Sequence, residues 1–226
     1  PIKTVQGPLE VSIANQLAMM LRNSAFASTN FSTVIGVGHS FGSAITQSVT
    51  HSHPSTFDAA ILTGFSTNQS AIAPFITALN LEIASVNSPY RFSTLNNGYL
   101  VSSSAISNQY GFFRSPNFSP LVLAAATASQ GSVTFGELFT QAAIAGVAQN
   151  FTGLVAIVNG DADLPFCYGN CSFPMNKAEA AVKMLYPNAK ANATYLAPLT
   201  GHGLNLHYTA MDAYKFIGSF LKQNRM

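Results

Sequence analysis

The chain is poor in charge: only 8% of its 226 residues are Asp, Glu, Lys or Arg, against roughly 25% in an average globular protein. Its net charge of +2 gives no basic footprint of the kind that grips nucleic acid or an anionic membrane surface. No apolar run approaches the roughly 18 residues of a membrane span. Internal repeats, low-complexity tracts and charge runs are also missing. Cysteine is scarce. The only two, Cys167 and Cys171, are spaced C-x3-C, without the second pair that a structural zinc site needs. What remains is a chain that is 48% hydrophobic, enough for one α/β domain with a sizeable core. Its polar surface has to be built from Ser, Thr, Asn and Gln.

The informative residues are concentrated in one stretch. Ser32-Thr33-Val34-Ile35-Gly36-Val37 reads as a short buried strand of β-branched and apolar residues. Gly38-His39-Ser40-Phe41-Gly42 follows, a G-x-S-x-G match, and then a run of small residues with helical character. Strand, sharp turn and helix form the context in which this motif lifts a nucleophilic serine clear of a sheet edge. The serine takes a strained backbone conformation there. Side chains at Gly38 and Gly42 are expected to collide with the neighbouring strand and helix.

Around that stretch the pattern alternates. Gly7-Pro8 opens a helix that puts Leu9, Ile13, Leu17 and Leu21 on one face, the proline suiting its first turn. The helix after the serine runs over about 41–51 and is stopped by Pro54. Residues 58–64 read as a second buried strand ending in a glycine turn, 154–159 as a third and 193–196 as a last short one. Helices are expected over 177–186, with Ala178, Ala181, Val182 and Leu185 on one face, and over 205–223, with Ala210, Tyr214, Ile217 and Leu221 inward. Strands alternating with helices place the chain in the α/β class, a parallel sheet with helices on both faces. Over 67–150 the strand-like runs give way to mixed apolar segments separated by Pro and Gly, read as a mostly helical insertion. The core is then 1–66 together with 151–226.

Two later loops carry acid–base residues. Asn159-Gly160-Asp161-Ala162-Asp163-Leu164-Pro165 puts a carboxylate just past a strand's C-terminal end, where open parallel sheets build their sites. Gly201-His202-Gly203 falls in the turn between the last strand and the last helix. Serine, then aspartate, then histidine is the chain order of the α/β-hydrolases and differs from the orders of the chymotrypsin and subtilisin types.

On these residues the chain resembles α/β-hydrolases of the serine branch, close to secreted fungal members with a helical cap. The likeness runs from the helix before the serine motif to the C-terminus. In that family the acid typically follows a G-x-x-D pattern with a proline soon after, which maps onto Gly160, Asp163 and Pro165. The histidine loop maps onto Gly201-His202-Gly203. The resemblance implies an α/β-hydrolase-type parallel sheet with flanking helices and a mostly helical cap, and neither cofactor nor metal. Ser40 would be the nucleophile, His202 its base and Asp163 the group that holds the imidazole tautomer. The Phe41 N–H, at the start of the following helix, would stabilise the oxyanion. Serine at this position sets the chain apart from the epoxide-hydrolase and haloalkane-dehalogenase branches, whose nucleophile is a carboxylate.

One departure from the family has a physical consequence. The family's sheet has about eight strands, four of them ahead of the helix that leads into the serine motif, and here only about six residues precede that helix. Val34, Ile35 and Val37 are therefore expected on an unpaired apolar edge. An N-terminal complementary polypeptide, or a homotypic partner, would cover it, the alternative being that the sequence is a fragment of a longer chain. The family loop that supplies a second oxyanion N–H is missing for the same reason.

Other readings stay in view. Asp161 is the alternative acid, or else a turn cap. His39 reads as a packed or hydrogen-bonded residue and His207 as structural. His51 and His53 read as a helix C-terminus favourable to the dipole rather than a metal pair. The aromatics between Tyr90 and Phe139 read mainly as core of the insertion. Six N-x-S/T sequons, at Asn30, Asn68, Asn117, Asn150, Asn170 and Asn192, exceed the roughly three that this composition gives by chance. Cys167 and Cys171 are expected to close a disulfide just after Asp163, two reduced cytosolic thiols being the alternative. Together these point to a secreted glycoprotein. The expected activity is cleavage of an ester, lactone or related acyl bond in an apolar small molecule, through an acyl-enzyme, with the aromatic-rich insertion forming an apolar pocket. The alternatives are a catalytically silent binding or receptor-like module on the same fold, or a lyase using the same three residues.

Overall fold

The computed structural model describes residues 1–25 and 29–226. The first half of the core comprises α1 (Gly7–Arg22), β1 (Ile35–His39), α2 (Phe41–Ser52) and β2 (Ala59–Thr63). The insertion follows with α3 (Ile72–Leu79), β3 (Glu82–Ile83), α4 (Ala84–Asn87), α5 (Pro89–Phe92) and β4 (Tyr99–Val101). It continues with α6 (Ala105–Phe112), α7 (Pro120–Ser129), β5 (Val133–Thr134), α8 (Phe135–Thr140) and a 3-10 turn, Gln141–Ile144. The core then resumes with β6 (Leu154–Gly160), α9 (Leu164–Cys167), α10 (Lys177–Leu185), β7 (Ala191–Ala197), a 3-10 turn at Leu204–Leu206 and α11 (Ala210–Gln223).

β1, β2, β6 and β7 form one parallel sheet in that order. Its register aligns Val37 with Ile61, Ile61 with Ala156 and Ala156 with Ala193. The central strands β2 and β6 are buried along their whole length, so their sequences are continuous apolar runs rather than alternating ones. On one face Ala60, Leu62, Val155 and Ile157 pack against α10 through Ala178, Ala181, Val182 and Leu185. On the other, Phe220 of α11 covers Ile61, Leu154 and Ala156. The sheet with helices on both faces is therefore as the sequence leads one to expect. The insertion is less purely helical. β3, β4 and β5 pair into a small antiparallel sheet, and two of these strands are only two residues long, too short to leave a periodic trace.

Two helix faces differ from the sequence reading. On α1 the residues turned inward are Val11, Ala14 and Ala18, the first two packed with Val49 and Ile144. Leu9, Ile13 and Leu17 are 41–48% exposed. On α11 Ala210 is buried and Ile217 and Leu221 pack on the core as expected, beside Ala213 and Phe220, whereas Tyr214 stands at the surface and donates its hydroxyl proton to Asn205 Oδ1 at 2.8 Å. On α1 the apolar stripe is wider than the contact surface available, and the smaller side chains take the close contact. β1 is an edge strand, paired among the described residues with β2 alone. Val34 is buried and Ile35 half-buried, but Val37 is 66% exposed.

The turn between β1 and α2 is tight enough to dictate one glycine. A Cβ on Gly38 would sit 2.3 Å from the Gly42 carbonyl oxygen, because the strand end crosses directly against the first turn of α2. Gly42 does not share that constraint: a Cβ there meets nothing within 4 Å. Gly38→Ala is expected to destabilise the fold by more than about 2 kcal/mol, since backbone atoms must move to admit the methyl. Gly42→Ala, in a helix, is expected to stabilise it by about 0.5–1 kcal/mol. Urea denaturation of the two variants checks both signs. Equal effects would mean the crossing is looser than described.

Candidate active site

Three loops at one end of the parallel strands converge. Ser40 sits between β1 and α2 at φ 56° and ψ −120°, a left-handed backbone that a non-glycine residue adopts only when its surroundings enforce it. The enforcement comes from the end of β2. The Ser40 N–H donates to the Thr63 carbonyl at 2.9 Å. The Ser43 hydroxyl donates to the same carbonyl at 2.8 Å and accepts from the Thr63 N–H at 3.0 Å. Asp163 caps the N-terminus of α9, its Oδ1 accepting from the Phe166 N–H at 2.9 Å. Its Oδ2 lies 2.7 Å from His202 Nδ1, and His202 Nε2 lies 2.7 Å from Ser40 Oγ. Asp163 and His202 are fully buried. An ionised carboxylate only accepts, so the imidazole proton resides on Nδ1 and the Nε2 lone pair accepts from the Ser40 hydroxyl.

The loops around these residues are tied down individually. Asp161 accepts from the Leu199 and Thr200 N–H groups, both at 3.0 Å; it anchors the segment leading to His202 and does not touch the imidazole. Cys167 and Cys171 are joined in a disulfide, closing the loop after Asp163, and the Cys171 N–H donates back to the Asp161 carbonyl at 2.9 Å. His207 accepts at Nε2 from the N–H groups of Arg114 (2.8 Å) and Gly201 (3.2 Å) and donates from Nδ1 to the Gly203 carbonyl (2.9 Å). Burial pushes its pKa down, as befits a ring whose Nε2 must stay an acceptor. Asn159, fully buried at the end of β6, accepts from the Phe65 N–H and donates to the Phe65 carbonyl, both at 2.9 Å. Sequence reading passed over Asn159; the signal was a lone amide closing an otherwise apolar strand.

Rings enclose His202. His39 lies 4.9 Å away centroid to centroid, Phe75 5.5 Å, Phe112 5.7 Å and Phe166 5.8 Å. Phe75 and Phe112 belong to the insertion, so that segment walls the imidazole. The remaining aromatics of the insertion are not uniformly its core: Tyr90, Tyr110 and Phe139 are 68–78% exposed. The Thr63 hydroxyl donates to the Gly38 carbonyl at 2.9 Å, so His39 donates from Nδ1 to Thr63 Oγ1 at 3.0 Å. Burial, reinforced by the neighbouring His202, pushes the His39 pKa down to about 3. Gly64, at φ +56°, accommodates both rings; a Cβ there would lie 2.8 Å from His39 and 3.0 Å from His202.

Ser40 and Phe41 open into a cavity of about 770 Å³. Its walls are largely apolar and include Phe65, Phe75, Phe112 and Phe166. The Phe41 N–H belongs to the first turn of α2, where backbone donors have no intrahelical acceptor. Elsewhere, His51 donates to the Val147 carbonyl at 2.7 Å and His53 caps α2. Of the sequon asparagines, Asn30, Asn150, Asn170 and Asn192 are exposed and Asn68 and Asn117 half-buried.

The displaced His39 pKa fixes the sign of one pH effect. Its folded value of about 3 lies below the ordinary 6.5, so between those pH values the unfolded chain binds the extra proton. Its contribution to stability is complete above about pH 6.5 and is lost as pH falls towards 3. His207 is displaced in the same direction. Thermal melts should show a melting temperature that declines from pH 7 to pH 4.5, and His39→Gln should flatten that decline. An unchanged slope in the variant would show that His39 does not carry the effect.

No protein-family model and no curated protein sequence matches the chain. Solved structures do. A bromoperoxidase from Bacillus anthracis superposes with a TM-score of 0.62 at 15% identity, over 98% of this chain and 76% of that one. An alpha/beta hydrolase fold protein from Chitinophaga pinensis gives 0.58 at 13%, over 99% and 74%. A monoacylglycerol lipase from Paleococcus ferrophilus gives 0.58 at 9%, over 96% and 76%. At such identities the likeness speaks for architecture alone. The chain has the α/β-hydrolase fold.

Proposed function

We propose that this protein is a secreted serine hydrolase that cleaves an ester, lactone or related acyl bond in an apolar small molecule. The observation that carries the reading is the hydrogen-bonded series Asp163–His202–Ser40 opening directly into the apolar cavity. In this reading Ser40 Oγ attacks the acyl carbon while His202 Nε2 takes its proton, and Asp163 stabilises the imidazolium that forms. The Phe41 N–H stabilises the negative charge on the acyl oxygen. The imidazolium returns the proton to the leaving alkoxide, giving an acyl-enzyme and an alcohol. Water, deprotonated by His202, then releases the acid and regenerates Ser40. No metal or cofactor enters these steps. Secretion and glycosylation rest on the disulfide and on exposed sequons such as Asn150, Asn170 and Asn192.

The same reading includes a partner. A polypeptide that adds a strand to the free side of β1, either an N-terminal complementary piece or a second copy of this chain, would cover Val37 and pair the open backbone groups of the edge. Native mass spectrometry and N-terminal sequencing of the natural protein identify which. A monomer of these residues alone that melts cooperatively and turns over ester overturns the partner.

Labelling with a fluorophosphonate probe tests the chemistry. The label is expected on Ser40 and nowhere else, with Ser40→Ala unlabelled and inactive on chromogenic short-chain esters. Asp163→Asn should fold yet lose about 10³–10⁴ in kcat, because the wrong imidazole tautomer is then favoured. A folded protein that is never labelled and turns over no ester is instead a binding module, and product analysis separates hydrolysis from elimination.

A further inference from the structure

Within the largely apolar cavity lies a cluster of amide and hydroxyl side chains from the insertion. Asn108, on α6, is 6% exposed. Its Nδ2 donates to Thr127 Oγ1 at 3.2 Å and to Gln130 Oε1 at 3.1 Å, and Gln130 Nε2 donates to the Ser102 carbonyl at 3.1 Å. The last acceptor orients the whole series. A carbonyl cannot donate, so Gln130 turns its NH2 to Ser102 and its oxygen to Asn108, and Asn108 must answer with its own NH2. Asn108 Oδ1 is thereby left over. It accepts no hydrogen bond among the described residues, yet no unpartnered side-chain polar atom is sealed from contact. Asn108, Gln130 and Ser102 all line the cavity, so the residue that carries this unpartnered oxygen belongs to the cavity wall.

Gln47, two turns along α2 from Ser40, repeats the arrangement. It is 3% exposed and lines the cavity, its Nε2 donates to the Gly146 carbonyl at 2.6 Å, and its Oε1 accepts no hydrogen bond among the described residues. The lining contains no Lys or Arg, and Glu137 is its one carboxylate. An anionic ligand would lose its water without meeting a counter-charge. A bare hydrocarbon would strip water from two amide oxygens without replacing it. The ligand that suits both facts is neutral, apolar and carries a hydrogen-bond donor.

We infer that the substrate is a neutral long-chain ester or lactone bearing a hydroxyl group along its chain, and that Asn108 Oδ1 accepts the hydrogen bond from that hydroxyl. Asn108 lies four residues, roughly 6 Å along the helix axis, from Phe112, whose ring is 5.7 Å from that of His202. The hydroxyl therefore sits several carbons from the scissile bond.

The inference rests on the hydrolase reading for the position of the scissile bond, so its test is binding to the Ser40→Ala protein, which requires no turnover. The ligands are methyl dodecanoate, its mono-hydroxylated analogues with the hydroxyl walked along the chain, and their O-methyl ethers, measured by displacement of a fluorescent apolar dye. One hydroxylated ester is expected to bind about tenfold more tightly than the unsubstituted ester, the factor one net hydrogen bond gives. Its O-methyl ether, which cannot donate, should lose that advantage. Adding Asn108→Ala should bring the ratio of hydroxylated to unsubstituted affinity from about ten to about one. Equal affinities across the ligand series, a ratio that survives Asn108→Ala, or no binding by any ligand overturns the inference. Because the ligand series needs no change at Asn108, it decides the hydroxyl preference even where that variant fails to fold, and Gln47→Ala, which should leave the ratio near ten, separates the two amides. Selective binding by a protein whose wild-type form never cleaves the ester sustains the inference and overturns only the hydrolase reading.

Discussion

Much of the architecture can be understood as what is needed to hold one fully buried imidazole with both nitrogens occupied. His202 is linked through Nδ1 to a residue 39 positions away and through Nε2 to one 162 positions away. His202 and Asp163 are fully buried, so a missing partner would be costly and a present one is strengthened by the low local dielectric. The loops that bear the three residues must therefore be stiff. Asp161 and His207 hold the backbone on either side of His202, the disulfide closes the loop after Asp163, and the Asn159 amide pair ties β6 to the turn after β2. Ser40 keeps its left-handed backbone because β2 supplies acceptor and donor to the first turn of α2.

The insertion contributes to this stiffness as well as to the cavity. Phe75 and Phe112 close on the imidazole from one side while His39 and Phe166 meet it from the core. Rings packed at these spacings hold the imidazole from several sides. His39 serves the same end by remaining neutral, since a second cation beside His202 would oppose the imidazolium that the proposed mechanism forms. The low charge of the chain, evident from composition, reappears as a cavity lining without a cation. Selectivity in such a cavity has to come from amides and hydroxyls whose orientation is set by backbone carbonyls, as at Asn108 and Gln47.

The sheet has two edges. β2 and β6 are protected on both faces and both edges, while β1, which leads into the serine turn, and β7 each pair on one side only among the described residues. The inward face of β1 is sealed by glycines that let Phe57 and α2 approach closely, and its opposite face leaves Val37 in solvent. Exposed leucine and isoleucine on α1 add a second apolar surface. An edge of this kind pairs readily with another strand, and the strand that leads to Ser40 is one of the two edges.

Features that depend on contacts within a few residues could be read directly. The continuous apolar runs of β2 and β6 announced strands buried on both faces, and the order of the serine, aspartate and histidine loops followed from where strand signals ended. Features that depend on distant contacts could not. Gly38 and Gly42 look alike in the motif, yet only Gly38 meets the opposing backbone. The apolar stripes of α1 and α11 gave a face but not which of its residues would find a surface to rest on. Asp161 and Asp163 occupy the same turn and carry the same carboxyl group. One points at backbone N–H groups and the other at the imidazole. Asn108 carried no local signal at all, because its free oxygen is fixed through Gln130, 22 positions away, which the Ser102 carbonyl orients. Sterics and burial act locally and are written in sequence order, whereas the direction a polar side chain takes is settled by donors and acceptors that only the folded chain brings within reach.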